Sequence, residues 1–372
     1  MANISESFFV GSLEEAVRMH RERRPLTILQ FQVKTKFLII SDTDGKDFSI
    51  PDIPVDVAIH CGNLTEGSTP DELRRTIDQL EQIQAPLKLV IAGNRDYTLD
   101  NPCYQEQADD AINARMTDPT VPEQLRKDCG GVGNPLHFME KSKDIKYLRE
   151  GAHEFILKNG AKLTVYASPY TPYQGNGGFQ FRREDGHKYD IGIADVVITH
   201  GPPHGVLDLT ASNQRGGCPD LFAAVNEARP RLHCFGHIRE GWGAKFVEWR
   251  GDRYDKNPTH LSNIDYEGTT MIECLASLKP KKDTRMRSEG EGAGAAPRAE
   301  GEELSYWAKQ GYRMVSHGPR DEHTITPGKH TLFVNASIQP LDGDKPQMPW
   351  IVEIELPEHN VVDIHTLGRG PI

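Results

Sequence analysis

Short, unbroken apolar runs mark the middle of the chain, and each stops at a polar, turn-forming cluster. Phe37-Leu-Ile-Ile ends at Ser41-Asp-Thr-Asp-Gly45, Val55-Asp-Val-Ala-Ile-His60 ends at Cys61-Gly-Asn63, and Leu87-Lys-Leu-Val-Ile-Ala92 ends at Gly93-Asn-Arg-Asp96. Runs of this length closed by Gly and Asp read as buried strands. Between the second and third, Leu73, Ile77, Leu80 and Ile83 share one face of a helix over residues 69–83. Thr69 is placed as its N-cap, Pro70 in its first turn, and Glu72 where it closes a capping box. Strand, helix, strand predicts a right-handed crossover between parallel strands. Strand patterns resume at 153–157, 163–167, 195–199 and 231–235, with a helix over 219–228, and again at 331–335 and 350–355.

The flanks have a different texture. Residues 1–35 are polar and mixed and read as an N-terminal arm, with Leu13, Ala16 and Val17 at helical spacing. Pro102, Pro119, Pro122 and Gly130-Gly-Val-Gly133 mark 101–150 as an insertion of short helices and loops. Residues 276–306 are too low in apolar content to bury a core and read as disordered. Residues 36–275 then form the main domain, which strands in 307–372 complete.

Of 372 residues, 37% are hydrophobic and 26% charged, enough for a buried core. The formal net charge is −11, which argues against a broad nucleic-acid or membrane-binding surface but leaves room for a local basic pocket. No apolar run reaches 18 residues, so no membrane span is expected. Residues 1–24 lack a signal-peptide core, so no secretory signal is expected and a cytoplasmic location is. The six cysteines are scattered, with no C-x-x-C pair, and read as free thiols. Asn3, Asn63 and Asn335 open glycosylation patterns that mean little without a signal. The absence of a P-loop and of a strand-coupled G-x-G-x-x-G argues against a nucleotide cofactor.

The chemistry gathers at strand ends: Asp42 and Asp44, Asn63, then Asn94, Arg95 and Asp96, then His200, then His237 and Arg239. Ligands bind beyond the carboxyl ends of strands in α/β sheets, and oxygen and imidazole donors carried there by separate strands suit a metal site. Each element alone is an ordinary turn, but five in order point to one site. His60 reads as a structural strand-end residue. His204 and His233 have no assigned role, and Trp242 reads as an apolar wall of the site or a surface loop.

Ser41-Asp-Thr-Asp-Gly45, His60-Cys-Gly-Asn63, Ala92-Gly-Asn-Arg-Asp96, Thr199-His-Gly-Pro-Pro203 and Phe235-Gly-His-Ile-Arg-Glu-Gly241 resemble the motif order D-x-H, G-D, G-N-H-[ED], H and G-H-x-H. That is the order of the calcineurin-like metallophosphoesterase family, in its branch of small metallophosphoesterase-domain proteins. Ala167-Ser-Pro-Tyr-Thr-Pro172 and Phe333-Val-Asn-Ala-Ser337 are similar to the same branch. The resemblance covers about 36–250 and 328–356 and implies a mixed α/β (α+β) fold, two mixed β-sheets packed as a sandwich flanked by helices.

The resemblance also shows four departures. Asp44 and Arg239 stand where the family has metal-binding histidines, Asn63 where it has the bridging aspartate, and Arg95 where it has the catalytic histidine. Two divalent cations about 3.5–4 Å apart repel by roughly 15–20 kcal/mol at an effective dielectric of 20, and a neutral Asn63 amide offsets little of that. Arg239 adds a permanent cation that cannot be a ligand. The set Asp42, Asp44, Asn63, Asn94, His200 and His237 is therefore expected to hold at most one metal, Zn, Mn or Fe. Arg95 cannot give up a proton near pH 7, and Asp96 would need a raised pKa to act as the acid in its place. Arg95 and Arg239 suit a small phosphorylated or carboxylated partner, or else pair with Asp42, Asp44 and Asp96. Three readings follow: an altered hydrolase, a non-catalytic anion binder, and a scaffold with a vestigial pocket.

Overall fold

The central apolar runs become inner strands because both of their faces are covered. The computed structural model describes residues 31–100, 144–172, 175, 177–251, 257–275, 309–340 and 346–359. The strands are β1 (Gln32–Ile40), β2 (Val57–Cys61), β3 (Leu87–Ile91), β4 (Ile145–Tyr147), β5 (Gly151–Ile156), β6 (Lys162–Ser168), β7 (Thr171–Pro172), β8 (Gln180–Phe181), β9 (Val196–Thr199), β10 (Leu232–Phe235), β11 (Gly243–Trp249), β12 (Ile264–Cys274), β13 (Arg313–Ser316), β14 (His330–Asn335) and β15 (Trp350–Pro357). The helices are α1 (Pro70–Gln82), α2 (Pro219–Ala228) and α3 (His260–Asn263).

One sheet runs β13-β15-β1-β2-β3-β4 and the other β12-β11-β14-β10-β9-β6-β5; β7 and β8 pair apart. Both large sheets are mixed. Strand β1 is antiparallel to β15 and parallel to β2, and β10 is parallel to β9 and β14 while β11 is antiparallel to β14. Strands β2 and β3 are parallel across α1, as the crossover requires. Alternate residues of one strand feed opposite layers. Phe37 and Ile39 enter the inter-sheet core with Val165, Ile198, Cys234 and Val334, whereas Leu38 and Ile40 pack with Leu73, Ile77 and Leu80 of α1. Val197, Phe235 and Phe333 leave the second sheet on its outer face to meet Leu221, Phe222 and Val225 of α2. The result is helix, sheet, sheet, helix: the sandwich of two mixed sheets that the resemblance implies.

Helix α1 also positions the site. The Thr69 hydroxyl accepts from Glu72 N at 3.3 Å and the Glu72 carboxylate accepts from Thr69 N at 3.0 Å, closing the box. From the next turn Arg75 Nη1 donates to Gly45 O at 2.9 Å and the Thr76 hydroxyl to Leu64 O at 2.7 Å. The helix thus pins the loops after β1 and β2. Thr69→Ala is expected to lower stability by about 1 kcal/mol in urea unfolding; an unchanged midpoint would show that the cap contributes nothing.

Three expectations are corrected here. Trp242 is neither a wall of the site nor on a surface loop. It is fully buried in the inter-sheet core, its ring 5.1 Å from that of Trp350 and its Nε1 donating to Met348 O at 3.0 Å. Strand β4 lies inside the stretch read as short helices and loops, and β1 begins within the stretch read as an arm. Asn63 and Asn335 are buried, which closes them to a glycan. Cys61, Cys218 and Cys234 are free thiols. The helical spacing in the arm, residues 101–143, the low-complexity stretch 276–306, Cys103 and Cys129 lie outside the described residues. Among the described residues, no helix is long and apolar enough to cross a membrane.

Candidate functional site

The carboxyl ends of β1, β2, β3, β9, β10 and β14 converge on one place. Strained backbone marks it: Asp42, Asp44, Asn63 and His237 hold φ of 55°, 53°, 54° and 66°. Left-handed backbone costs an L-residue on the order of 1 kcal/mol and concentrates where a site must be built. Two glycines let the loops close. A Cβ at Gly236 would overlap Ser41 Oγ and Asp42 Oδ2, and one at Gly62, whose φ is 95°, would lie 2.5 Å from Ala92 O and 2.7 Å from His200 Nδ1.

Asp42 is the hub. Its Oδ1 accepts from Asn63 Nδ2 at 2.9 Å, and its Oδ2 from His237 N at 2.9 Å and from the Ser337 hydroxyl at 2.6 Å. Burial alone would push this carboxyl up. The His200 ring, the Ser337 hydroxyl, the Arg239 charge and the His237 N–H outweigh burial and hold it down to about 2. Asn63 is spent as a connector, because its Oδ1 also accepts from Arg95 N at 2.9 Å.

Asn94, His200 and His237 meet beside it. His200 Nδ1 lies 2.8 Å from Cys61 O, which only accepts, so Nδ1 carries a proton. In the neutral ring the lone pair is then on Nε2, which faces Asn94 Oδ1 at 3.0 Å; the same oxygen is 3.0 Å from His237 Nδ1. Two acceptors face to face need a second ring proton, a turned amide or a shared cation. His237 Nε2 is buried without a partner, and burial holds the His237 ring down to about 3. A ring whose other nitrogen donates to a backbone carbonyl is the usual posture of a metal-binding histidine. Asn94, His200 and His237 are the donors that a shared cation would meet here. Among the described residues no group of three or more His, Cys, Asp and Glu is arranged to hold a metal, so three donors are reached only with the Asn94 amide.

Asp44 faces two guanidiniums. Asp44 Oδ2 accepts from Arg239 Nη2 at 2.5 Å and lies 3.4 Å from Arg95 Nη1. Burial and the neighbouring Asp42 charge push the Asp44 carboxyl up to about 7 against both guanidiniums. The two arginines therefore share Asp44; Asp42 is satisfied by other donors. Arg95 Nη1 also lies 3.5 Å from Glu66, whose other oxygen is 3.1 Å from Lys46 Nζ.

Asp96 is placed differently from a proton donor. Its oxygens accept from Gly93 N at 2.8 Å, Leu64 N at 3.1 Å, Thr65 N at 2.9 Å and the Thr65 hydroxyl at 2.6 Å. Burial raises its pKa against those donors, but the geometry is that of a clamp between the β2 and β3 loops. His60 is structural as read: Nδ1 accepts from Gly62 N at 3.2 Å and Nε2 lies 3.0 Å from the Thr43 hydroxyl. His204 stands 3.9 Å from buried Asp208 and packs edge-on to His260. Ser337, Lys46 and Glu66 were not singled out by sequence. Ser337 lies in the family-like stretch Phe333–Ser337, two residues past the end of the predicted strand 331–335, and that position is the signal that marks it.

The chain is similar to metallophosphoesterase-domain proteins. It is 32% identical over 221 residues to metallophosphoesterase domain-containing protein 1 of Homo sapiens, covering 56% of this chain and 62% of that one, and equally so to that of Mus musculus. It is also 32% identical over 218 residues to the probable rhamnogalacturonate lyase C of Emericella nidulans, covering 58% of this chain and 18% of that one. The chain thus spans less than two thirds of each of these relatives. No family model matches it.

Proposed function

We propose that this is a hydrolase-derived protein of the calcineurin-like metallophosphoesterase type whose inherited metal pair is reduced to one seat, beside an anion-binding pair of arginines. Asn94, His200 and His237 would hold the one divalent cation, and Arg95 and Arg239 would bind a small phosphorylated or carboxylated molecule. The single observation that carries the reading is the Arg239–Asp44 contact at 2.5 Å. It puts a guanidinium and its counter-ion where a second cation would need free carboxylate. A bound cation would supply a Lewis acid for a phosphoryl oxygen. The chain's own residues orient and neutralise the anion, since a guanidinium pairs well with phosphate but does not release its proton near neutrality. Asp96 is engaged by four donors and is not free to take the acid's part in ordinary phosphodiester hydrolysis. That favours binding over turnover. The free thiols agree with a cytoplasmic protein.

The test is metal content per chain together with turnover of bis-p-nitrophenyl phosphate. At most one Zn, Mn or Fe and no measurable cleavage are expected. Two metals per chain, or brisk cleavage abolished by Asp42→Ala, would overturn the reading.

A further inference from the structure

We infer that Lys46, Arg95 and Arg239 form one phosphate clamp in which the Glu66 carboxylate sits as a resident stand-in, so that a phosphate or phosphomonoester binds by displacing it. The inference rests on the anion-site reading above and adds to it a third cation and a competitor from the chain itself.

The Glu66 carboxylate divides its oxygens between two cations, Oε2 to Lys46 Nζ at 3.1 Å and Oε1 to Arg95 Nη1 at 3.5 Å. It is held below the usual carboxylate range, first by the Lys46 hydrogen bond and then, against its slight burial, by the charges of Lys46, Arg95 and Arg239. All three cations therefore act on one anion. Arg95 is committed to neither acceptor: the same Nη1 stands 3.4 Å from Asp44 and 3.5 Å from Glu66, whereas charge-assisted bonds close to about 2.7–2.9 Å.

The two carboxylates differ in what they can do. Asp44 is wholly buried and cannot leave, while the Glu66 and Lys46 side chains are 52% and 51% exposed, so Glu66 can swing into water. A phosphomonoester dianion brings three terminal oxygens and nearly two charges to the place where Glu66 offers two oxygens and one charge, and it suits three cations better. Lys46 follows Asp44 by two residues and Glu66 follows Asn63 by three, so both ride on the loops that Arg75 and Thr76 of α1 pin through Gly45 O and Leu64 O.

The experiment titrates inorganic phosphate and phenyl phosphate into the full chain and into Glu66→Gln, Lys46→Gln and Arg95→Gln, by calorimetry at low and at 0.5 M salt. Glu66→Gln is expected to bind phosphate about five- to tenfold tighter at low salt, as removal of one contacting charge implies, and to lose most of that gain at high salt. Lys46→Gln is expected to bind several-fold more weakly. The substituted Glu66 and Lys46 are exposed, so folding is preserved. Equal affinity in the native chain and Glu66→Gln, with binding lost in Arg95→Gln, would overturn the displacement and leave the anion site standing. No binding by any form would overturn both.

Discussion

Replacing Asp44, Asn63, Arg95 and Arg239 together by His, Asp, His and His is expected to raise the bound divalent metal from at most one to two per chain, and turnover of bis-p-nitrophenyl phosphate by a hundredfold or more. These are the residue types that the resembled family carries at those positions. The four changes must be made as a set. Arg239→His alone removes the guanidinium that sits 2.5 Å from the wholly buried Asp44 carboxylate, and breaking such a pair costs on the order of 3–5 kcal/mol. Asn63→Asp alone would set a second carboxylate where the amide now donates to Asp42 Oδ1 at 2.9 Å, like charge against like charge with no cation between. In the combined variant the guanidiniums are gone, a carboxylate stands between the two seats, and a titratable imidazole replaces the Arg95 side chain. Metal content by mass spectrometry and a urea midpoint measured with and without chelator check the outcome. A folded variant that still takes up one metal or none would show that the arginines are not what closes the second seat.

The fold and its site were legible to different depths for physical reasons. Strands buried on both faces, such as β2 and β3, leave unbroken apolar runs, and the capping box around Thr69 is a local pattern, so all three could be read in one dimension. Strand β12 could not: it is a sheet edge, half exposed, with register shifts against β11, and its sequence has neither alternation nor an apolar run. Strand β4 has only three residues. At the site, the residues that sit at strand ends were found because strands aim them. What sequence cannot show is which partner each one takes. The alternatives left Arg239 free to pair with Asp42, Asp44 or Asp96; the fold gives it to Asp44 because Asp42 is satisfied by Asn63, His237 and Ser337, and Asp96 by the loop amides. Lys46 and Glu66 escaped notice because a charged residue two or three places past a motif looks like solvated surface until the loops are folded together.

His233 supplies a test of the buried core that is independent of any ligand. It lies on β10 with its Nε2 2.8 Å from the Thr199 hydroxyl, which itself donates to Gly201 O, so Nε2 carries the proton and the buried Nδ1 lone pair has no partner. Burial holds this ring down to about 3. The unfolded chain protonates the same ring near 6.5. A histidine whose folded pKa is depressed contributes stability that is full above 6.5 and is lost as pH falls from 6.5 towards 3. Asp44, raised to about 7, runs the opposite way over part of that window, so total stability mixes the two. The difference between the native chain and His233→Gln isolates the ring, since glutamine can still donate to Thr199 but does not titrate. That difference should shrink by roughly 2–3 kcal/mol between pH 7.5 and pH 4.5, measured by urea unfolding at each pH. A constant difference would mean that the imidazole is charged, or solvated, in the folded chain, and the inter-strand packing around it would have to be looser than the sandwich described above.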